Sequence, residues 1–230
     1  KGNTAGIMHH KFVVIDANDV NNSWVLGGST NWTPNNLFDD YNNLIAIQDQ
    51  ALAMAYTLEF EEMWDDTSAT PNVGNAKFGP DKTNNTPHEF NIGGRLVELY
   101  FSPSDNTTNK ILNAISSSNN DLEFALLSFT RNDLGTAVLN AHNGGVSVKG
   151  IMENQNDLGS EYTYLTTNGV DLLSHMSVPF ILHHKYAVID ATNAASDPTL
   201  ITGSHNWSTS AETKNDENTL FIHDEVIANM

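Results

Sequence analysis

Cysteine is absent from this chain. Its absence removes thiolate catalysis, cysteine-ligated zinc and disulfides together, and leaves the redox compartment open. Basic residues are scarce: ten Lys and Arg face 28 Asp and Glu, for a formal charge of -18. Such a charge favours solubility and repels nucleic acid and anionic membranes at long range. No apolar run approaches the roughly 20 residues of a membrane span, and the N-terminus lacks the basic, apolar, small-residue succession of a signal peptide. The loops are rich in Asn, Asp, Thr and Ser, a composition suited to Asx-turns that fits a secreted bacterial protein.

What the chain does contain is a repeat, the first thing to establish because it sets the fold. "IMHHKFVVID" at 7–16, then "WVLGGSTNWT" and "YNNLIAIQD", matches "ILHHKYAVID" at 181–190, then "TLITGSHNWS" and "DENTLFIHD". In each copy the apolar runs are β-branched or aromatic and are bounded by turn residues. They predict three strands: Phe12 to Ile15, Trp24 to Leu26 and Leu44 to Ile47, then Tyr186 to Ile189, Thr199 to Thr202 and Thr219 to Ile222. "QALAMAYTLEFEEMW" has helical spacing and closes the first unit. Before the second copy, strands are predicted over Leu96 to Phe101, Leu122 to Ser128 and Val146 to Met152. They alternate with a helix capped by Asp105 and another ending at Gly144-Gly145. Alternation of this kind implies an α/β fold, a mixed sheet flanked by helices.

The units are expected at 1–66 and 95–230, joined by a Pro/Gly/Asn-rich linker at 67–94. Only eight residues precede His9, whereas a long α/β stretch precedes His183. The expectation is therefore that the front of the first half lies outside this sequence, supplied by preceding residues or by a separate chain, and that the final helix of the second half is missing as well.

In an extended segment residues two apart share a face. His9 and Lys11 thus project together, as do His183 and Lys185, while His10 and His184 point to the opposite side for packing or hydrogen bonding. Asp16 and Asp190 lie an odd seven positions beyond the first histidines and read as structural. Asn31 and Asn206 follow Gly-Ser-x and add amides beside the lysines. Two cations, two amides and two imidazoles suit a tetrahedral oxyanion such as phosphate. Zinc fits poorly, because adjacent strand residues diverge and no neighbouring carboxylate completes a tetrahedron. For Ser29 and Ser204, contact with phosphate or histidine and a simple turn hydrogen bond are both open. Trp32 and Trp207 could line a groove or pack behind the site.

His-x-Lys-x4-Asp followed by Gly-Ser-x-Asn, present twice and in order, resembles the signature of the phospholipase D superfamily. The resemblance implies two similar α/β halves with the site at their interface on a pseudo-twofold axis. It also implies cleavage of a phosphodiester through a phosphohistidine, without metal or other cofactor. Lys11, Lys185, Asn31 and Asn206, with Ser29 and Ser204, would bind phosphate. His9 and His183 would divide the roles of nucleophile and general acid. An acidic residue after each Asn would orient a histidine. Glu217 holds that position in the second copy, whereas Asn42 holds it in the first, with Asp39 or Asp40 as possible substitutes. Placing Glu217 beside His183 makes His183 the acid/base and His9 the nucleophile. "GSHNWSTSAETKNDEN" is similar to bacterial nucleases of the superfamily, so nucleic acid is preferred as substrate despite the acidic charge. Phospholipid is the alternative, and an inactive phosphate-binding module the reading from another class.

Overall fold

The computed structural model describes residues 2–65 and 68–230. The boundary expected between residues 66 and 67 lies outside the described residues. The first repeat forms β1 (Val13–Ile15), β2 (Trp24–Gly28), α1 (Pro34–Phe38), β3 (Leu44–Gln48) and α2 (Gln50–Trp64). The remainder forms β4 (Glu89–Ile92), β5 (Arg95–Ser102), α3 (Thr107–Ser117), β6 (Asp121–Leu126), α4 (Asn132–Asn143), β7 (Ser147–Met152), α5 (Tyr162–Thr167) and β8 (Asp171–Ser174). The second motif copy then builds β9 (Lys185–Ile189), β10 (Thr199–Gly203), α6 (Thr209–Thr213), β11 (Glu217–His223) and α7 (Glu225–Ala228).

The repeat is structural as well as textual. β1-β2-β3 is an antiparallel sheet, and β9-β10-β11 repeats its order inside an eight-stranded mixed sheet, β4-β5-β11-β10-β9-β6-β7-β8. Strand alternation gives that large sheet two apolar faces. Phe221, Tyr100, Phe124 and Ile189 face one way, onto Ile111 and Ile115 of α3 and Leu134 and Val138 of α4. Leu220, Ile222, Leu99 and Phe101 face the other, onto Leu52, Ala53 and Tyr56 of α2 and Val25 of β2. The first repeat's helix therefore packs on the second repeat's sheet, and the two halves share a core.

Two expectations are corrected. The segment read as a linker contributes β4, which pairs with β5 from Glu89↔Glu98 to Ile92↔Arg95, so only part of it connects. Its Lys82 is buried at 6 % exposure. Asp105 does not cap α3. The N-cap is Asn106 in a left-handed conformation, and the Asp105 carboxylate instead accepts the Phe101 N–H at 2.7 Å. α5 and β8 were not anticipated, because "YTYLTT" and "DLLS" are too short for their periodicity to declare itself.

The two motif aspartates diverge. Asp190 is buried and left-handed, at φ 54°, and its carboxylate accepts the N–H groups of Asn119 at 2.9 Å and Asn120 at 2.7 Å. It thereby ties the α3–β6 turn to the end of β9. Asp16 has the same left-handed backbone, at φ 48°, but its side chain is exposed. The structural role expected from the spacing describes Asp190.

On the large sheet, His223 bridges Glu98, at 2.9 Å from Nε2, and Asp197, at 2.9 Å from Nδ1. The hydrogen bond to Glu98 raises its pKa, burial opposes this, and Asp197 adds to the rise. A raised folded-state pKa stabilises fully below the unfolded value of about 6.5, and the contribution is lost as pH rises through the folded value. The melting-temperature gap between the parent and His223→Gln is therefore expected to be wider at about pH 5.5 than at about pH 8.5. An unchanged gap would show that the bridge contributes nothing through its charge.

Candidate active site

The glycine of each Gly-Ser-x-Asn motif is dictated by backbone proximity. At Gly28 (φ 149°) an added Cβ would lie 2.3 Å from the Asn43 carbonyl oxygen, and at Gly203 (φ 154°) 2.1 Å from that of Asn218. This approach lets the next serine close a reciprocal pair. The Ser29 N–H donates to Asn43 O at 3.1 Å while the Asn43 N–H donates to Ser29 Oγ at 3.0 Å. Ser204 and Asn218 do the same at 3.0 and 3.1 Å. Both serines are fully buried. Their hydroxyls hold the residues that orient the histidines: Ser29 Oγ donates to Asn42 Oδ1 at 3.1 Å, and Ser204 hydrogen-bonds Glu217.

His9 and His183 precede their strands, in extended segments held by single bridges, Met8↔Asp216 and Tyr41↔Leu182. These bridges carry the chain across from one repeat to the other. The His9 N–H donates to Asp216 O at 3.0 Å, and the His183 N–H to Tyr41 O at 2.8 Å. Each histidine is consequently oriented by the opposite repeat. Glu217 Oε2 lies 2.7 Å from His9 Nδ1, whereas His183 Nδ1 lies 2.9 Å from both Ser29 O and Asn42 Oδ1. The expected pairing of Glu217 with His183 is thus corrected: the carboxylate serves His9. Asp40 does not stand in for a carboxylate at His183, since its oxygens accept from Asn36 Nδ2 at 2.7 Å and Ile181 N at 3.0 Å.

These contacts settle the tautomers. Ser29 O is a backbone carbonyl and can only accept, so His183 carries its proton on Nδ1 and offers a bare Nε2. Asn42 is consistent with this, because its Nδ2 donates to Asn36 O at 3.1 Å, leaving Oδ1 to face the ring. Glu217 likewise accepts from His9 Nδ1. The two rings differ in one respect: an imidazolium at His9 would face a buried carboxylate, and one at His183 only neutral dipoles.

Lys11 and Lys185 complete the centre. Both are buried, and each Nζ donates to the backbone carbonyl of the histidine two residues before it, at 2.6 Å. Burial lowers the Lys11 pKa to about 8 against the pull of Glu217. Burial, then the charge of Lys11, takes Lys185 well below its ordinary value. Burial, then Lys185 and Lys11, brings His183 down to about 3. His9 is lowered by burial, with Glu217 opposing. Burial works against the charge of Glu217, but its hydrogen bond to His9 and the field of that ring leave its pKa lowered. The charges of Lys11 and Lys185 both act on His9 and on His183, and that of Lys11 on Lys185, so the two repeats share one centre in which positive charge is crowded and an anion would relieve it. Asn206 Oδ1 is buried without a hydrogen-bond partner. Asn31 donates its backbone N–H to Asn36 Oδ1 at 3.0 Å.

His10, His184 and Trp207 have partners outside the centre. His10 Nε2 lies 2.7 Å from Glu59 Oε1, and His184 Nδ1 lies 3.3 Å from Asn43 Oδ1. Trp207 packs against Phe124 and Phe129, while Trp32 is exposed.

Comparison with known proteins identifies the family. The family described as "Cardiolipin synthase, PLD-like domain" matches residues 1–64 and 111–230. Mouse mitochondrial cardiolipin hydrolase is 32 % identical over 123 residues, 53 % of this chain and 52 % of that protein. The chain spans about half the length of the curated relatives it matches. Among solved structures, the phospholipase D family member Nuc from Salmonella typhimurium is 29 % identical with a TM-score of 0.50, covering 58 % of this chain and 86 % of Nuc. Phosphatidylserine synthase from Haemophilus influenzae shares the fold over 98 % of this chain and 60 % of its own, with a TM-score of 0.63 and 16 % identity. With the family matched over most of its length and both motif copies joined in one centre, the chain belongs to the phospholipase D superfamily.

Proposed function

We propose that this protein hydrolyses phosphodiesters through a phosphohistidine on His183, with His9 as general acid and then general base. The observation that carries the role division is the unequal orientation of the rings, Glu217 on His9 and neutral acceptors on His183. It reverses the division expected when Glu217 was placed beside His183. A neutral His183 with its proton on Nδ1 attacks phosphorus through Nε2. The P–O bond to the leaving group breaks, and that oxygen takes the proton from His9 Nε2. Water then attacks phosphorus and gives its proton to His9, the P–N bond breaks, and His183 leaves as the neutral ring. Glu217 stabilises the imidazolium that the acid step requires. A phosphohistidine leaves more readily from a ring that no carboxylate makes more basic. Lys11 and Lys185, with the amides of Asn31 and Asn206, neutralise the phosphoryl oxygens.

An inactive phosphate-binding module would have no use for two imidazoles with fixed tautomers. The centre itself does not choose between nucleic acid and phospholipid, since its groups address the phosphate alone. The test is hydrolysis of bis-p-nitrophenyl phosphate in excess EDTA. Turnover is expected to be unchanged by the chelator, because the two lysines provide the charge that a Lewis acid would otherwise supply. Activity abolished by EDTA and restored by a divalent cation would refute the mechanism.

A further inference from the structure

The segment that leads into His183 is a loop with tethered ends and an apolar tip. Glu153 Oε2 accepts from His175 Nδ1 at 2.8 Å and from the Leu182 N–H at 2.9 Å, so one carboxylate oxygen ties both ends. Between them runs "MSVPFI", residues 176–181, without a charged residue in a chain of net charge -18. Met176, Val178, Phe180 and Ile181 are all exposed. The loop rests on the turn after α1. The Tyr41 N–H donates to Ile181 O at 2.8 Å, and the Tyr41 ring meets His175 edge-on at 5.0 Å. Phe38, at the end of α1, is 83 % exposed, and Tyr41 on that turn is also exposed. The next residue after Leu182 is His183.

Phe180 adds an independent sign. It is 57 % exposed, yet its backbone is left-handed at φ 66°, a conformation that disfavours bulky side chains and suits Gly or Asn. An exposed aromatic held at that cost contributes little to folding, and strain of this kind gathers at functional sites. An apolar patch beside a polar reaction centre marks a contact surface.

Charge selects the occupant. A polyanion is repelled by this chain, and the acidic groups on the same turn, Asp39 and Asp40, oppose a strongly anionic bilayer. A zwitterionic surface carries no net charge, accepts apolar side chains, and presents quaternary ammonium groups that bind aromatic faces such as those of Phe38, Tyr41 and Phe180.

We propose that the 176–181 loop, with Phe38 and Tyr41, is an interfacial rim that seats the mouth of the active site on a zwitterionic phospholipid surface, so that the diester delivered to His183 is a lipid headgroup bond. The choice of substrate rests on the phosphodiesterase reading; the docking does not.

The test separates the two by measuring vesicle binding and catalysis on the same full chain. Sedimentation with phosphatidylcholine vesicles is expected to carry the protein down, and less of it as phosphatidylglycerol is mixed in. The double variant Val178→Ser/Phe180→Asn is expected to lower that partition at least about tenfold, two exposed apolar side chains being lost. It should leave the hydrolysis of bis-p-nitrophenyl phosphate unchanged and the melting temperature equal or higher, since Asn tolerates the left-handed backbone. Phe38→Ser provides a second reading on a different element and is expected to weaken vesicle binding in the same direction. Parent protein that stays in the supernatant, or variants that sediment like the parent, would overturn the rim. So would single-stranded DNA binding the parent more tightly than the vesicles do. Vesicle binding without hydrolysis of any diester would leave the rim standing and refute the phosphodiesterase reading instead.

Discussion

Replacing His183 by Asn is expected to lower phosphodiester turnover by at least about 10⁴-fold and to abolish covalent phosphate on the protein. The corresponding His9→Asn change is expected to act differently. With an alkoxide leaving group it removes the proton donor and costs about 10²–10⁴-fold. With bis-p-nitrophenyl phosphate, p-nitrophenolate departs without protonation, so the first step survives while the water-activating second step fails. The variant should then release a single burst of about one p-nitrophenolate per protein and stall with a p-nitrophenyl phosphoryl group on His183. The asymmetry follows from the partners: Ser29 O and Asn42 Oδ1, both at 2.9 Å, hold His183 neutral with Nε2 free, whereas Glu217 at 2.7 Å suits His9 to hold a proton. Stopped-flow absorbance and peptide mapping of the quenched protein check both outcomes. A burst from His183→Asn with phosphate on His9 would reverse the assignment.

Lys82→Met is expected to destabilise the protein by about 3–5 kcal/mol, the usual cost of leaving a buried charge without its partner. Lys82 Nζ, with no side-chain exposure, is paired with Glu59 Oε1 and lies 3.5 Å from Asp216 Oδ1. Glu59 also receives His10 Nε2 at 2.7 Å, and Asp216 accepts the Gly79 N–H at 2.6 Å. One lysine thus serves two buried carboxylates on different repeats. At this chain length the loss corresponds to a fall in melting temperature of about 10 °C. Thermal unfolding by circular dichroism measures it, and the double change Lys82→Met/Glu59→Gln should recover part of the loss by removing one of the stranded charges. A fall of only about 1 °C would show that solvent reaches the cluster. Because Asp216 immediately precedes Glu217 and receives the His9 N–H, the same variant should also loosen the orientation of His9.

Much of this was legible because the chain states it twice. The paired motifs, the three strands of each copy and the helix over Gln50–Trp64 follow from alternation and helical spacing, which are local properties. The placing of His9 with Lys11, and of His183 with Lys185, on one face is what the period of an extended chain gives. The exchange of orienting residues was not legible. Glu217 lies much closer in sequence to His183 than to His9, and linear proximity suggested the wrong partner. The bridges Met8↔Asp216 and Tyr41↔Leu182, visible only in the folded chain, carry each repeat into the other. Lys82 was equally hidden, because a single lysine in a Pro/Gly/Asn-rich stretch has the composition of a connector until its carboxylate partners are seen. The uncharged run "MSVPFI" was present in the sequence as a signal, but an apolar hexapeptide reads as a buried strand unless its exposure is known.

The sequence by itself determined the chemistry available to this protein: two imidazoles, two lysines and two amides in a repeated order, with no thiol and few other cations. The tertiary structure alone decided which histidine receives the carboxylate, and therefore which one is suited to hold a proton and which to attack. That assignment depends on a contact of 2.7 Å between residues 208 positions apart, and a distance of that kind is set by how the two halves pack rather than by any local preference of the chain.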